Sequence, residues 1–239
     1  MRHVAPIRKE LAFRTIFNLL GPLANPCHDL IEARVVGVFQ NSLLPIFAEA
    51  FAKSAADKVL VVCGAEDLDE ISCAGTTHCR WVVKRPNPNF KGGRDEEDDN
   101  YTTSDEEGEP RLRSLIEEFD LHPRDFGLAV HSLKEVSPGR SPKENAATLM
   151  RLLRGELAQG DAVLDFVLMN AAALFAVAGV CEGEGQSLTT GEGEVIEERG
   201  PGGLRWKEGV RLARWAVESG RALQALERFV EATRGFEAP

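Results

Sequence analysis

The chain has 239 residues, 43% hydrophobic and 28% charged, with a formal net charge of −10, which is the composition of a soluble globular protein with one large or two small domains. Nine acids and one arginine fall within residues 94–109, a local charge of −8 that leaves only −2 for everything else. A nearly neutral remainder with no concentrated basic patch excludes a nucleic-acid-binding face. The five cysteines are odd in number and irregular in spacing. They suit free thiols in a reducing compartment, the cytoplasm, better than a disulfide framework. No apolar h-region follows Met1-Arg2-His3. The longest apolar run, residues 166–180, is interrupted by Asn170 and is shorter than the ~20 residues of a membrane span.

In chain order, residues 3–26 join a basic helical pattern to a stiff loop. Arg8 sits near the end of the helix, with Val4, Ile7 and Leu11 on one side, and Gly21-Pro22 and Asn25-Pro26 stiffen the loop after it. Residues 34–39, RVVGVF, read as a buried strand, and 43–55 as a helix with Phe47, Ala50 and Phe51 inward. Residues 58–63, KVLVVC, read as a second buried strand, so the three form a βαβ unit with parallel strands. Residues 76–83 fit a further strand. Residues 86–110 have no apolar periodicity and read as a loop insertion. Residues 114–121 resume the sheet. Ser141-Pro142-Lys143-Glu144 is a capping box that opens a helix to about Arg154, stopped by Gly155. Residues 162–178 are apolar nearly all round and read as a buried helix; 182–203 read as a second insertion. Residues 206–233 form an amphipathic helix broken near Gly220. The expected fold is α/β, one domain over 1–239, with a mainly parallel sheet flanked by helices.

In such a sheet, ligands bind beyond the carboxyl ends of the strands. After the strand at 58–63 comes Gly64-Ala65-Glu66-Asp67-Leu68-Asp69-Glu70, with four carboxylates. This is a place for Mg²⁺, which takes one or two protein carboxylates and completes its shell with water and phosphates; an acidic solvated loop has the same look. Cys73, His78 and Cys79 lie close together but match no zinc spacing. No glycine-rich loop follows a buried strand to open a helix, so a phosphate cradle of that kind is missing. The five histidines are scattered and read as structural.

The order of several short motifs carries a resemblance. Arg8-Lys9-Glu10, the stretch 15–26 with FNLLGPL, Leu68-Asp69-Glu70, Pro123 with Asp125-Phe126-Gly127, Glu144-Asn145-Ala146 and Asn170-Ala171-Ala172 occur as in anthranilate phosphoribosyltransferases. The chain resembles the carboxyl-terminal α/β portion of that family, whose fold is shared with pyrimidine nucleoside phosphorylase. The resemblance implies transfer of phosphoribosyl from phosphoribosyl pyrophosphate to anthranilate, in tryptophan biosynthesis, with Mg²⁺ as cofactor. It implies that Arg8 meets the anthranilate carboxylate and that Asp69 and Glu70 hold Mg²⁺. Asp67 stands where many members have glycine. The family's helical domain, Gly-Thr-Gly-Gly-Asp loop and Lys-His-Gly-Asn-Arg segment have no counterpart in the 239 residues. Met1 matches an internal methionine of the family, so the expectation is a truncated chain, inactive alone. The family's homodimer contacts would then be largely missing. The alternative is a non-catalytic remnant with weak ligand or metal binding. A nucleoside phosphorylase fits less well, because the Asp69-Glu70 pair and the setting of Arg8 match the transferase.

Overall fold

The computed structural model describes residues 31–54, 56–90, 111–139, 141–183 and 193–234, with Gly21 and Leu23. Arg8 and the acidic run at 94–109 lie outside the described residues. Strand β1 (Ala33–Gly37) leads through helix α1 (Leu44–Ala52) to β2 (Lys58–Gly64). Strands β3 (Thr77–Pro86) and β4 (Leu112–Leu121) follow, then α2 (Pro142–Leu153), α3 (Ala162–Ala178), α4 (Trp206–Glu218) and α5 (Arg221–Arg234). The sheet order is β1-β2-β3-β4.

The α/β expectation holds, and the βαβ unit is parallel: Val35 faces Leu60 and Gly37 faces Val62. The mainly parallel sheet is corrected. β2 with β3 and β3 with β4 are both antiparallel, so the described sheet is mixed. A parallel return needs a crossover of a dozen or more residues, usually a helix. No helix is described between β2 and β3 or between β3 and β4. β4 also alternates exposed and half-buried positions along LRSLIEEFDL, as an edge strand with one wet face does.

β2 is buried on both faces, which is why KVLVVC reads as a continuous apolar run. Val59, Val61 and Cys63 join Leu44, Phe47, Ala48 and Phe51 of α1. Leu60 and Val62 join Met169, Ala172, Ala173 and Ala176 of α3 and Trp206 and Val210 of α4. Phe47 and Phe51 face inward as expected, with Ala48 rather than Ala50 as the fully buried alanine between them. α3 and α4 approach closely because Gly209 has no side chain: a Cβ there would stand 2.6 Å from the Ala172 carbonyl oxygen. Contrary to the all-round burial expected of 162–178, Val167 and Leu174 stand 39% and 42% exposed. The sheet and α4 cover two sides of α3 and leave that stripe outside.

The Ser141 cap and the Gly220 break follow the sequence signals, and α3 has caps of its own. Ser141 accepts from the Glu144 amide at the start of α2, Asp161 accepts from the Val163 and Leu164 amides at the start of α3, and Gly179 and Gly220 leave helices with positive φ. The described part of 182–203 is tied to the core rather than loose. Arg199 pairs with Glu182 and donates to the Gly203 carbonyl, and Trp206 donates to the Pro201 carbonyl.

Cys63, Cys73, Cys79 and Cys181 are buried free thiols. Burial pushes all four above the ordinary thiol range, Cys79 far above it and Cys181 to about 12. Since the thiolate is the nucleophile, iodoacetamide at neutral pH is expected to leave these four unmodified in the native protein and to label all of them in urea. Peptide mass mapping reads this directly, and rapid native labelling of Cys79 would contradict its burial.

Candidate functional site

The residues beyond β2 form a tight, tethered turn. The Asp67 amide donates to the Gly64 carbonyl at 2.9 Å, and the Gly64 amide donates back to the Leu68 carbonyl at 2.8 Å. Ala65 donates to the Thr76 carbonyl, which ties the turn to the residues leading into β3. Asp67 has φ 58, the only positive φ at a non-glycine among the described residues. Aspartate tolerates that conformation better than most residues, at some cost in strain. The turn therefore asks for a glycine-like backbone at this position, which accounts for the glycine that the family resemblance puts there.

Asp69 and Glu70 follow, both exposed, and the chain dives at once into the core with Ile71 and Ser72 fully buried and Cys73 nearly so. Two contacts fix this descent. The first is at Gly37, the last residue of β1, where a Cβ would fall 1.6 Å from the Asp69 carbonyl oxygen. Only a glycine lets the backbone at Asp69 lie against β1. The second is Asn170 of α3, whose Oδ1 accepts from the Ile71 amide at 3.0 Å and whose Nδ2 donates to the Ile71 carbonyl at 3.2 Å. Nδ2 also donates to the Phe166 carbonyl, one helical turn back, at 3.1 Å. Beyond Ile71, the Ser72 amide donates to Thr77 Oγ1 at 2.8 Å and the His131 amide to the Cys73 carbonyl.

The electrostatics fit a cation. Partial desolvation, and then the neighbouring Asp69 charge, raise the Glu70 carboxyl above the ordinary glutamate range. Neither Asp69 nor Glu70 forms an ion pair with another described residue. A divalent ion between them would relieve the repulsion, and a hard oxygen donor set suits Mg²⁺. Among the described residues no group of three or more His, Cys, Asp or Glu could hold a metal. Two carboxylates alone would leave most of an Mg²⁺ shell to substrate oxygens and water.

The other motif residues make structural contacts of their own. His122 and Asp125 cap a short 3₁₀ turn (Pro123–Phe126) reciprocally, and Phe126 packs on Trp206 with ring centroids 5.3 Å apart. Asn145 Oδ1 accepts from the Gly139 amide at 2.6 Å. A buried group that sequence reasoning missed lies behind the site: Asp165 of α3, 4% exposed, takes His131 Nε2 at 3.0 Å and lies 3.9 Å from Arg214 of α4. Its place among the apolar buried residues of α3 is the one trace it leaves in the sequence.

Replacing Gly37 by alanine is expected to push the Asp69 backbone off β1 and to cost about 1–3 kcal/mol of stability, as overpacking does. Asp67→Gly is expected to be neutral or stabilising by up to about 1 kcal/mol, and Asp67→Val to cost about 1–2 kcal/mol. Urea unfolding of the three variants checks the order; an Asp67→Val protein as stable as the parent would sink the backbone argument.

Comparison with known proteins agrees with this architecture. A family model described as the glycosyl transferase family, a/b domain, matches residues 1–87 and 91–223. An anthranilate phosphoribosyltransferase of Schizosaccharomyces pombe is 36% identical over 229 residues, covering 96% of this chain and 49% of its own length. One from Rubrobacter xylanophilus is 36% identical over 234 residues, covering 98% and 52%. Among solved structures, anthranilate phosphoribosyltransferase from Saccharomyces cerevisiae in complex with PRPP and Mg superposes with a TM-score of 0.70 at 28% identity, covering 99% of this chain and 52% of that one. The same yeast enzyme in complex with 4-fluoroanthranilate gives 0.69. The chain spans about half the length of the curated relatives it matches. With the family model matched over nearly the whole sequence, and relatives and solved structures aligned over almost all of it, the chain belongs to the glycosyl transferase family as its a/b domain.

Proposed function

We propose that this chain supplies the metal and acceptor side of an anthranilate phosphoribosyltransferase. The observation that carries the reading is the Asp69–Glu70 pair, two adjacent exposed carboxylates at the carboxyl end of a doubly buried strand, in a chain of this family. The relatives' names and the yeast complexes with PRPP and Mg and with 4-fluoroanthranilate support the substrates and the cofactor.

In this reading Asp69 and Glu70 hold Mg²⁺ through their carboxylate oxygens, and Arg8 grips the anthranilate carboxylate. A planar guanidinium fork suits a carboxylate better than the point charge of lysine. Mg²⁺, when bound, neutralises the charge that builds on the departing pyrophosphate. The reaction breaks the bond from C1 of the ribose to the pyrophosphate oxygen and forms one from C1 to the anthranilate nitrogen, which gives up a proton. The chain's own part is to orient the two reactants, since alignment removes much of the entropic barrier. Residues 1–239 act as one α/β unit with 86–110 and 182–203 as loop insertions. The protein works in the cytoplasm, as its buried free thiols favour. The whole enzyme acts as a homodimer, as the resemblance implies.

In a chain that carries the glycine-rich phosphate loop, Arg8→Ala is expected to raise the KM for anthranilate about tenfold or more, and that for phosphoribosyl pyrophosphate little, as loss of a charge-assisted bond predicts. Asp69→Asn with Glu70→Gln is expected to raise the Mg²⁺ requirement instead. Anthranilate fluorescence follows both. Equal effects of Arg8→Ala on the two substrates would refute the carboxylate role. The 239 residues assayed alone are expected to show no turnover, and consumption of anthranilate by them would overturn the need for that loop.

A further inference from the structure

Exposed carboxylates do not position themselves. Each would sample several rotamers on a backbone free to shift, and a metal pair built that way loses affinity to ordering. In this protein the backbone beneath Asp69 and Glu70 is held at both ends. On one side the Asp69 carbonyl lies against Gly37 of β1, too close for any side chain. On the other, Asn170 of α3 takes both the amide and the carbonyl of Ile71, the residue directly after Glu70. A third bond, to the Phe166 carbonyl, fixes the carboxamide to its own helix and leaves its orientation no freedom. Asparagine is the side chain of this length with an acceptor and a donor side by side, so it can mimic a neighbouring strand to one residue.

We propose that Asn170 is the positioning residue of the Asp69–Glu70 pair, transmitting the placement of α3 to the metal site through Ile71. The inference rests on the metal reading of that pair. Its consequence is that metal affinity depends on a residue that touches no metal, as outer partners of ligands commonly do, at about 10–100-fold per lost partner. Asn170→Asp keeps the size and the acceptor but sets an oxygen against the Ile71 and Phe166 carbonyls. Asn170→Ala removes the clamp altogether.

The test is Mn²⁺ binding by the 239-residue protein, read by water-proton relaxation at a temperature well below each variant's melting point. Asn170→Asp and Asn170→Ala are expected to weaken Mn²⁺ binding by about tenfold or more. Trp206→Phe, which alters the ring contacts with Phe119 and Phe126 and the bond to the Pro201 carbonyl, is expected to lower the melting temperature and leave Mn²⁺ binding unchanged. Unchanged affinity in the Asn170 variants, or an equal loss in Trp206→Phe, overturns the proposal. Asp69→Asn with Glu70→Gln separates the two claims: if it leaves binding intact, the metal reading itself fails and the proposal with it. Should the Asn170 variants not fold, the unaltered protein still decides. Added Mg²⁺ is then expected to shift the Asn170 side-chain amide and the Ile71 backbone amide in nitrogen–proton spectra, but not the Ile196 amide, which is bonded to Glu208 in the α4 region. Unmoved Asn170 and Ile71 signals at saturating Mg²⁺ refute it.

Discussion

The constraint on which the rest depends is the burial of β2 on both faces. A strand covered on one face tolerates polar residues on the other; β2 has no such face, and its five apolar residues from Val59 to Cys63 are within 1% of full burial. Two helical layers must therefore exist to cover it. α1 covers one side, and α3 with α4 covers the other. The strand's direction then decides where its carboxyl end opens, and that end is Gly64, from which the chain turns to Asp69 and Glu70. At the opposite end Lys58 donates to the Ala178 carbonyl, closing the carboxyl terminus of α3 against the strand.

Covering β2 with two helices on one side creates a second demand. α3 and α4 bury charged groups between them and their loops, and a buried charge is costly unless paired. Glu208, 3% exposed, accepts from Arg211 at 2.8 and 2.6 Å and from the Ile196 amide at 2.9 Å. Burial alone would raise its pKa, but these partners outweigh burial and hold the carboxyl below the ordinary range. Asp165 is satisfied less fully, with His131 close and Arg214 at the limit of an ion pair. His131 also reaches the Cys73 carbonyl through its backbone, so this pair meets the chain three residues beyond Glu70 and links the same segment to α3. Asn170 and Asp165 thus tie one stretch, Ile71 to Cys73, to one helix at two places.

Much of this was legible along the chain. The βαβ unit showed as two β-branched runs around a helix of the right length. The start of α2 showed as Ser141-Pro142, its end as Gly155 and the end of α4 as Gly220, because caps and left-handed ends depend on local backbone and side chain alone. The acidic pair showed because four carboxylates stood after a buried strand, and its assignment to a metal came from the ordered motifs around it. Direction of β3 and β4 was not legible: a strand's own residues say that it pairs, and the path its connection takes across the fold, not its composition, decides with which polarity. The exposed stripe of Val167 and Leu174 was hidden for a similar reason, since apolar residues do not announce which of them meets a neighbour.

By itself, then, the sequence determined what is local: which segments are strands and helices, where helices are capped, and which residues carry charge at the end of β2. The tertiary structure decided what is relational. It brought Gly37 from β1 and Asn170 from α3 to either side of Asp69 and Glu70, residues separated from that pair by 32 and 100 positions, counted from Asp69 to Gly37 and from Glu70 to Asn170. A glycine reads as a mere interruption of RVVGVF, and an asparagine as a flaw in an apolar helix. Only their contacts, a carbonyl that admits no Cβ and a peptide unit that needs both a donor and an acceptor, show why those two residues stand there.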